Sequence, residues 1–241
     1  MKSLLAITTA LLCTAPILPA EDAAPGKIRI VLAGDSTVTD NAGWGHGFAN
    51  SMAADVEVIN RAKGGRSSKS FIAEGSWKKV LDLKPNYVLL QFGHNDQPGH
   101  GERETDPQTL YRQYMIQYVD EARAAGIEPI LVTSLSRRQW GKDGKIRSNL
   151  QPWVDAVKAI AEEKRVPLID LHARSIEIYE QMGREKTLEI SPLKNADTTT
   201  PGTDKQVVDG THLNQKGSEI FGPIVAQGLK LVVPKLASHI K

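Results

Sequence analysis

The sequence predicts an α/β fold built on a parallel sheet, on three observations. Five short, β-rich apolar runs recur along the chain. The segments between them carry apolar residues at helical spacing, and the first three runs each hand over to a polar, glycine-bearing segment at the carboxyl end. Strands covered on both faces read as nearly continuous apolar runs, which marks a parallel sheet rather than an antiparallel one. The carboxyl edge of such a sheet is where ligands bind.

The first twenty residues are expected to stand outside the fold. Met1-Lys2 supplies a positive start, Leu4 to Leu18 an apolar stretch and Ala20 a small residue at the expected cut. Residues 1–20 therefore read as a signal peptide and 21–241 as a single domain, exported to the periplasm or the medium. Thr8, Thr9, Thr14 and Pro16 interrupt the stretch, which falls short of the roughly 20 residues of a membrane span. The sole cysteine, Cys13, lies in this leader behind Leu12 rather than a small residue, against a lipoprotein signal. The mature chain then has no thiol, so disulfides, zinc-thiolate sites and cysteine nucleophiles are excluded. A net charge of +2, from 30 basic and 28 acidic residues, calls for neither nucleic acid nor an anionic membrane as partner. Composition carries no signal of oligomeric state.

The first run, Ile28 to Ala33, ends in Gly34-Asp35-Ser36-Thr37. A serine in that turn is a nucleophile or a helix cap. The second, Val56 to Ile59, is followed by Asn60-Arg61-Ala62-Lys63-Gly64-Gly65-Arg66-Ser67, whose glycines let a backbone amide approach a ligand; the spacing is not that of a P-loop or dinucleotide fingerprint. The third, Tyr87 to Phe92, leads to Gly93-His94-Asn95-Asp96. Asn95 is either a turn residue or a neutral donor suited to a developing oxyanion.

Asp106-Pro107 then opens a helix with Tyr111, Tyr114, Met115, Tyr118, Ala122 and Ala125 on one face, closed by Gly126. The fourth run is Ile127 to Thr133. A second helix spans Asn149 to Arg165, and Val166 to Ile169 is the fifth run. A last helix begins near Asn214 with Ile220, Phe221, Ile224 and Val225 facing in and a kink expected at Pro223. Ser134 to Ser148 and Arg184 to Val208, with its Thr198-Thr199-Thr200-Pro201-Gly202 stretch, lack periodicity and read as functional or mobile loops.

Asp209-Gly210-Thr211-His212 stands immediately before the last helix. Three residues of separation around a glycine can bring the carboxylate onto the imidazole, fixing its tautomer and stabilising its cation. His212 could then take a proton from Ser36; alone, such a pair is more often a structural hydrogen bond. His46, His94, His100, His172 and His239 show no paired metal-ligand spacing, so no metal is expected.

Gly-Asp-Ser-Thr, Ala-Lys-Gly-Gly-Arg-Ser, Gly-His-Asn-Asp and Asp-Gly-Thr-His, in this order from Gly34 to His212, resemble the four blocks of the SGNH (GDSL-like) hydrolase family. Their form is similar to its rhamnogalacturonan acetylesterase branch. The resemblance implies a three-layer α/β/α, flavodoxin-like fold with a five-stranded sheet, and ester hydrolysis without a cofactor. It puts the nucleophile on Ser36, the base on His212, its orienting acid on Asp209, and the oxyanion donors on the Ser36 amide, the Gly65 amide and the Asn95 side chain. Gly64 is the alternative to Gly65, which fits the branch better by directly preceding Arg66-Ser67. Thr37 replaces the leucine of the name-giving motif. No Gly-x-Ser-x-Gly occurs, which excludes the α/β-hydrolase elbow.

The expected substrate is an acetylated polysaccharide, pectic rhamnogalacturonan first and acetylated xylan or oligosaccharides second; an idle polysaccharide-binding module is the rival from another class. The stretch Ser136 to Arg147 holds five basic residues and one acidic one. Arg137, Arg138 and Trp140 are its expected substrate contacts, guanidinium groups for uronate carboxylates and a flat ring for a sugar. A solvated loop that is basic by chance is the alternative.

Overall fold

The computed structural model describes residues 26–195 and 206–241. The proposed leader and the Thr198–Gly202 stretch lie outside the described residues. Five parallel strands form the central sheet: β1 (Ile28–Gly34), β2 (Val56–Asn60), β3 (Tyr87–Gln91), β4 (Glu128–Val132) and β5 (Leu168–Ile169), in the order β2-β1-β3-β4-β5. β1 pairs on one side with β2 (Val31 opposite Ile59) and on the other with β3 (Leu32 opposite Leu89). This is the flavodoxin-like order, and the chain reverses its direction of travel across the sheet between β1 and β3.

Side-chain alternation in β1 feeds two cores. Ile30 and Leu32 pack on one face with Trp44, Phe48, Phe221 and Val225, from helices α1 (Gly45–Asn50) and α7 (Gln215–Val232) and the turn before α1. Val31 and Ala33 pack on the other with residues of α2 (Ser68–Ala73), α3 (Ser76–Leu81), α4 (Leu110–Ala124) and α5 (Gln151–Lys164). Tyr111, Met115, Tyr118 and Ala122 of α4 are buried as expected. Tyr114 is only partly buried, Ala125 is exposed, and the helix starts at Leu110 rather than at Asp106-Pro107.

A further departure from expectation is structural. A sixth helix, α6 (Leu171–Lys186), precedes a small antiparallel pair, β6 (Leu193–Asn195) and β7 (Gln206–Val208), so the segment read as loop from Arg184 begins in a helix and ends in a strand. α7 runs through Pro223 as one helix. Pro223 and the residue four before it, Glu219, are both exposed, so water can take the carbonyl that the missing N–H leaves free. The fully buried apolar side chains of α7 are Phe221, Val225, Ala226 and Leu229, with Ile220 and Ile224 half-buried.

α1 and α7 cross backbone to backbone. A Cβ on Gly222 would lie 2.1 Å from the Gly47 carbonyl carbon and 2.2 Å from the Phe48 nitrogen. Nearby, Gly47 N–H donates to Ser218 Oγ (3.1 Å) and Leu213 N–H to the Ala42 carbonyl (2.9 Å). The turn that follows β1 is thereby locked to the chain that enters α7. Gly222→Ala must push the two helices apart, a cost of roughly 1–3 kcal/mol or more, which in a domain of this size lowers the melting temperature by about 2–4 °C per kcal/mol. A thermal melt reads this directly; an unchanged Tm would contradict the close crossing.

Candidate active site

Ser36 follows β1 by two residues, Gly64-Gly65 follow β2, Asn95 follows β3, and Asp209 and His212 precede α7. Parallel strands bring the first three segments to one edge, and the α1–α7 crossing brings the last to meet them. Ser36 Oγ lies 2.8 Å from His212 Nε2, and His212 Nδ1 lies 2.8 Å from Asp209 Oδ2. The other carboxylate oxygen, Asp209 Oδ1, accepts the backbone N–H groups of Thr211 (2.7 Å) and His212 (3.0 Å), which folds the short loop around the acid. Burial works against the Asp209 charge, but His212 and these two amides outweigh it and hold the carboxyl at about 2. An anion facing Nδ1 keeps a proton there and leaves Nε2 as the acceptor facing the serine hydroxyl.

A buried polar chain supports the serine turn. Asp35 Oδ1 accepts from Thr37 N–H (2.9 Å) and Thr37 Oγ1 (2.7 Å), Gln91 Nε2 donates to Thr37 Oγ1 (2.7 Å), and Trp44 Nε1 donates to Gln91 Oε1 (3.0 Å). Asp35 thus holds its own turn rather than capping a helix. Its second oxygen lies 3.3 Å from His94 Nδ1. Burial disfavours this charge too, yet His94 and the Thr37 donors keep the Asp35 carboxyl below its ordinary value.

Asp96 ties the second and third segments together. Its Oδ1 accepts from Ser68 N–H (3.0 Å), Ser68 Oγ (2.5 Å) and Thr105 Oγ1 (2.7 Å), while burial pushes the carboxyl up to about 7.

Asn95 Nδ2 donates to the Arg66 carbonyl (3.0 Å) and keeps a second proton, while Oδ1 faces Arg103 Nη1 at 3.4 Å. Among the described residues the N–H groups of Ser36, Gly64 and Gly65 donate to no protein acceptor. Gly65 adopts φ +76°, a conformation that favours glycine, and a Cβ on Gly64 would stand 3.7 Å from Ser36 Cβ. The cleft beside Gly65 is lined by Arg66, Ser70, Ala73, Glu74 and Arg103. Among the described residues no group of three His, Cys, Asp or Glu side chains could hold a metal ion, and no helix is long and apolar enough to cross a membrane.

A serine hydroxyl on a histidine backed by an acid, at the carboxyl edge of a flavodoxin-like sheet, is the arrangement of a serine hydrolase, and its relatives make it one of carboxylic esters. The chain belongs to the GDSL-like lipase/acylhydrolase family, whose model matches residues 32–220. The rhamnogalacturonan acetylesterase RhgT of Bacillus subtilis is 36% identical over 222 residues, covering 88% of this chain and 94% of that protein. The rhamnogalacturonan acetylesterase of Emericella nidulans is 27% identical over 198 residues, covering 72% and 79%. Among solved structures, YXIM_BACsu of Bacillus subtilis superposes with TM-score 0.69 at 27% identity over 84% of this chain, which spans 56% of that one. Axe2, an acetylxylan esterase from Geobacillus stearothermophilus, gives TM-score 0.60 at 18% identity over 86% of this chain and 95% of that one, a likeness of fold.

The basic loop requires a correction. Arg138 is only 8% exposed, and its guanidinium donates to Ser191 Oγ (2.9 Å), Tyr179 OH (3.3 Å), the Asp209 carbonyl (2.8 Å) and the His212 carbonyl. With four of its five N–H donors engaged inside the protein it buttresses the Asp209–His212 loop, and its burial leaves it no fork free to grip a substrate carboxylate. Lys145 pairs with Glu180 and Arg147 with Asp143. Trp140 is half-buried, bridged to Ile146, and lines a cleft with Arg184 and Leu188. Arg137 alone of the loop's basic side chains reaches the third segment, through Gln97 Oε1 and the His94 carbonyl (3.4 Å).

Arg138→Ala should therefore lower the melting temperature and reduce kcat/KM by the same factor on an aryl acetate and on a polymer, since buried carbonyls lose their donor at about 1–3 kcal/mol each. A loss confined to the polymer, in a variant as stable as wild type, would restore Arg138 to the substrate.

Proposed function

We propose that the protein is an exported acetylesterase that removes acetyl groups from plant cell-wall polysaccharide, pectic rhamnogalacturonan first. The observation that carries the chemistry is the relay Ser36 Oγ···His212 Nε2 and His212 Nδ1···Asp209 Oδ2, both at 2.8 Å. The substrate assignment is supported by 36% identity over 94% of a protein named a rhamnogalacturonan acetylesterase. Export rests on the charged, apolar and small-residue order of residues 1–20, ahead of one catalytic domain.

In this reading Ser36 Oγ attacks the acetyl carbonyl carbon and passes its proton to His212 Nε2. The negative oxygen of the tetrahedral intermediate accepts hydrogen bonds from the Ser36 amide, the Gly65 amide and Asn95 Nδ2. His212 then gives its proton to the departing sugar oxygen, leaving an acetyl group on Ser36. Water, deprotonated by His212, repeats the sequence and releases acetate. No step needs a cofactor. Arg137 and Trp140 are the remaining contacts for the polymer. The Arg137 guanidinium lies against Gln97 Oε1 and the His94 carbonyl, beside the segment that carries Asn95.

Acetate release from acetylated rhamnogalacturonan, xylan and xylo-oligosaccharides should be greatest on the first. Ser36→Ala should abolish it with unchanged circular dichroism, since the hydroxyl contributes at most about 1 kcal/mol as a cap. A preference for xylan would overturn the substrate, and turnover by the folded variant the nucleophile. As pH falls, kcat/KM should decline, because a general base must be unprotonated to act, while Asp209, held at about 2, stays charged throughout. A rate flat from pH 8 to 5 would contradict a histidine base.

A further inference from the structure

We infer that Arg103 is a positioning residue that aligns Gly65 and Asn95 as oxyanion donors; the inference rests on the proposed role of those two residues. They sit on loops after β2 and β3, strands that are not neighbours because β1 lies between them. No hydrogen bond of the sheet therefore fixes their separation. Arg103 reaches both from the segment between β3 and α4: its Nη1 donates to the Gly65 carbonyl at 2.8 Å and faces Asn95 Oδ1 at 3.4 Å. A guanidinium is a rigid planar fork with several donors, suited to holding two acceptors in register.

The fork is itself anchored. Arg103 Nε donates to the His100 carbonyl (3.2 Å), and Glu104 Oε1 gathers the N–H groups of Gly99, His100 and Gly101 at 2.7–2.8 Å, which closes the loop on itself. Among the described residues no carboxylate lies within ion-pair distance of Arg103, so its charge is not neutralised locally. Three consequences follow for the proposed oxyanion hole. The amide orientation of Asn95 is set, because a flipped side chain would turn its oxygen on the Arg66 carbonyl and its NH2 on the guanidinium. A cation on Oδ1 polarises the amide and strengthens Nδ2–H as a donor. Fixing the Gly65 carbonyl holds that residue in its left-handed conformation, with its own N–H free.

Because Arg103 would act through groups that touch the transition state, its loss should appear in kcat and not in KM. The test is a double-mutant cycle on aryl acetate hydrolysis with Arg103→Met, Asn95→Ala, the double variant and Arg103→Lys. Asn95→Ala should lower kcat by roughly 10²–10³. Arg103→Met should lower it by about 10- to 100-fold with KM within about twofold, a share of one donor's effect. Arg103→Lys, with the charge but not the fork, should recover part of the loss. In the Asn95→Ala background the Arg103→Met effect should shrink several-fold, because one of the two aligned donors is gone.

Fully multiplicative effects, an unchanged kcat, or a loss carried by KM would overturn the inference. If Arg103→Met fails to fold, the cycle with Arg103→Lys must show the same non-additivity or the inference fails. A silent Asn95→Ala in a folded protein would remove the oxyanion reading itself, and this inference with it. A costly Asn95→Ala beside a silent Arg103→Met would remove Arg103 alone.

Discussion

The contact between Ser36 Oγ and His212 Nε2 joins two points 176 residues apart in the chain, and the rest of the architecture is arranged to hold it. One partner stands two residues past β1, the other three residues before α7. A displacement of 1 Å between them would separate the hydroxyl from its acceptor. Two devices prevent it. The Leu213 N–H to Ala42 carbonyl bond pins the residue after the histidine to the turn after the serine, and the Gly47–Gly222 contact lets α1 and α7 meet without side chains between them.

Charge management follows from the same constraint. Three carboxyl groups stand near the edge where the segments converge, and their surroundings drive them apart. Asp209 is held strongly ionised by His212 and two backbone amides, as the orienting partner of a histidine must be. Asp35 is fully buried, and the neighbouring His94 ring and the Thr37 donors keep its carboxyl below its ordinary value. Asp96, also buried and facing hydroxyls rather than cations, is pushed up to about 7 and serves as a knot between α2 and the loop after β3. One fold thereby gives three aspartates three different tasks, each set by what faces the oxygens.

Much of this is legible in the residues. Val31, Leu32, Val88, Leu89, Ile130 and Leu131 are buried because their strands are covered on both sides, and that condition is written as an unbroken apolar run. The convergence of Ser36, Asn95, Asp209 and His212 is legible because a parallel sheet gathers strand ends and because the acid and the histidine are three residues apart. The helix from Leu171 to Lys186 is not legible: its buried face mixes Leu171 and Tyr179 with His172 and Ser175, and Gly183 breaks its geometry near the end. Arg138 reads as a surface charge because residue type does not reveal that backbone carbonyls of Asp209 and His212 will claim its donors. Arg103 is hidden for the same reason, since its principal partner is a main-chain oxygen of Gly65.

The proposed chemistry requires Ser36 to carry the acetyl group between sugar and water. Rapid quenching of the protein with an activated acetate ester, followed by intact-mass measurement and peptide mapping, tests that directly. The expected result is a stoichiometric acetyl adduct on the peptide bearing Ser36, formed within one turnover and lost on further incubation, with none on the Ser36→Ala variant. Turnover with no adduct at any quench time under conditions where deacetylation is slowed, or an adduct on another residue that is competent to turn over, would contradict it.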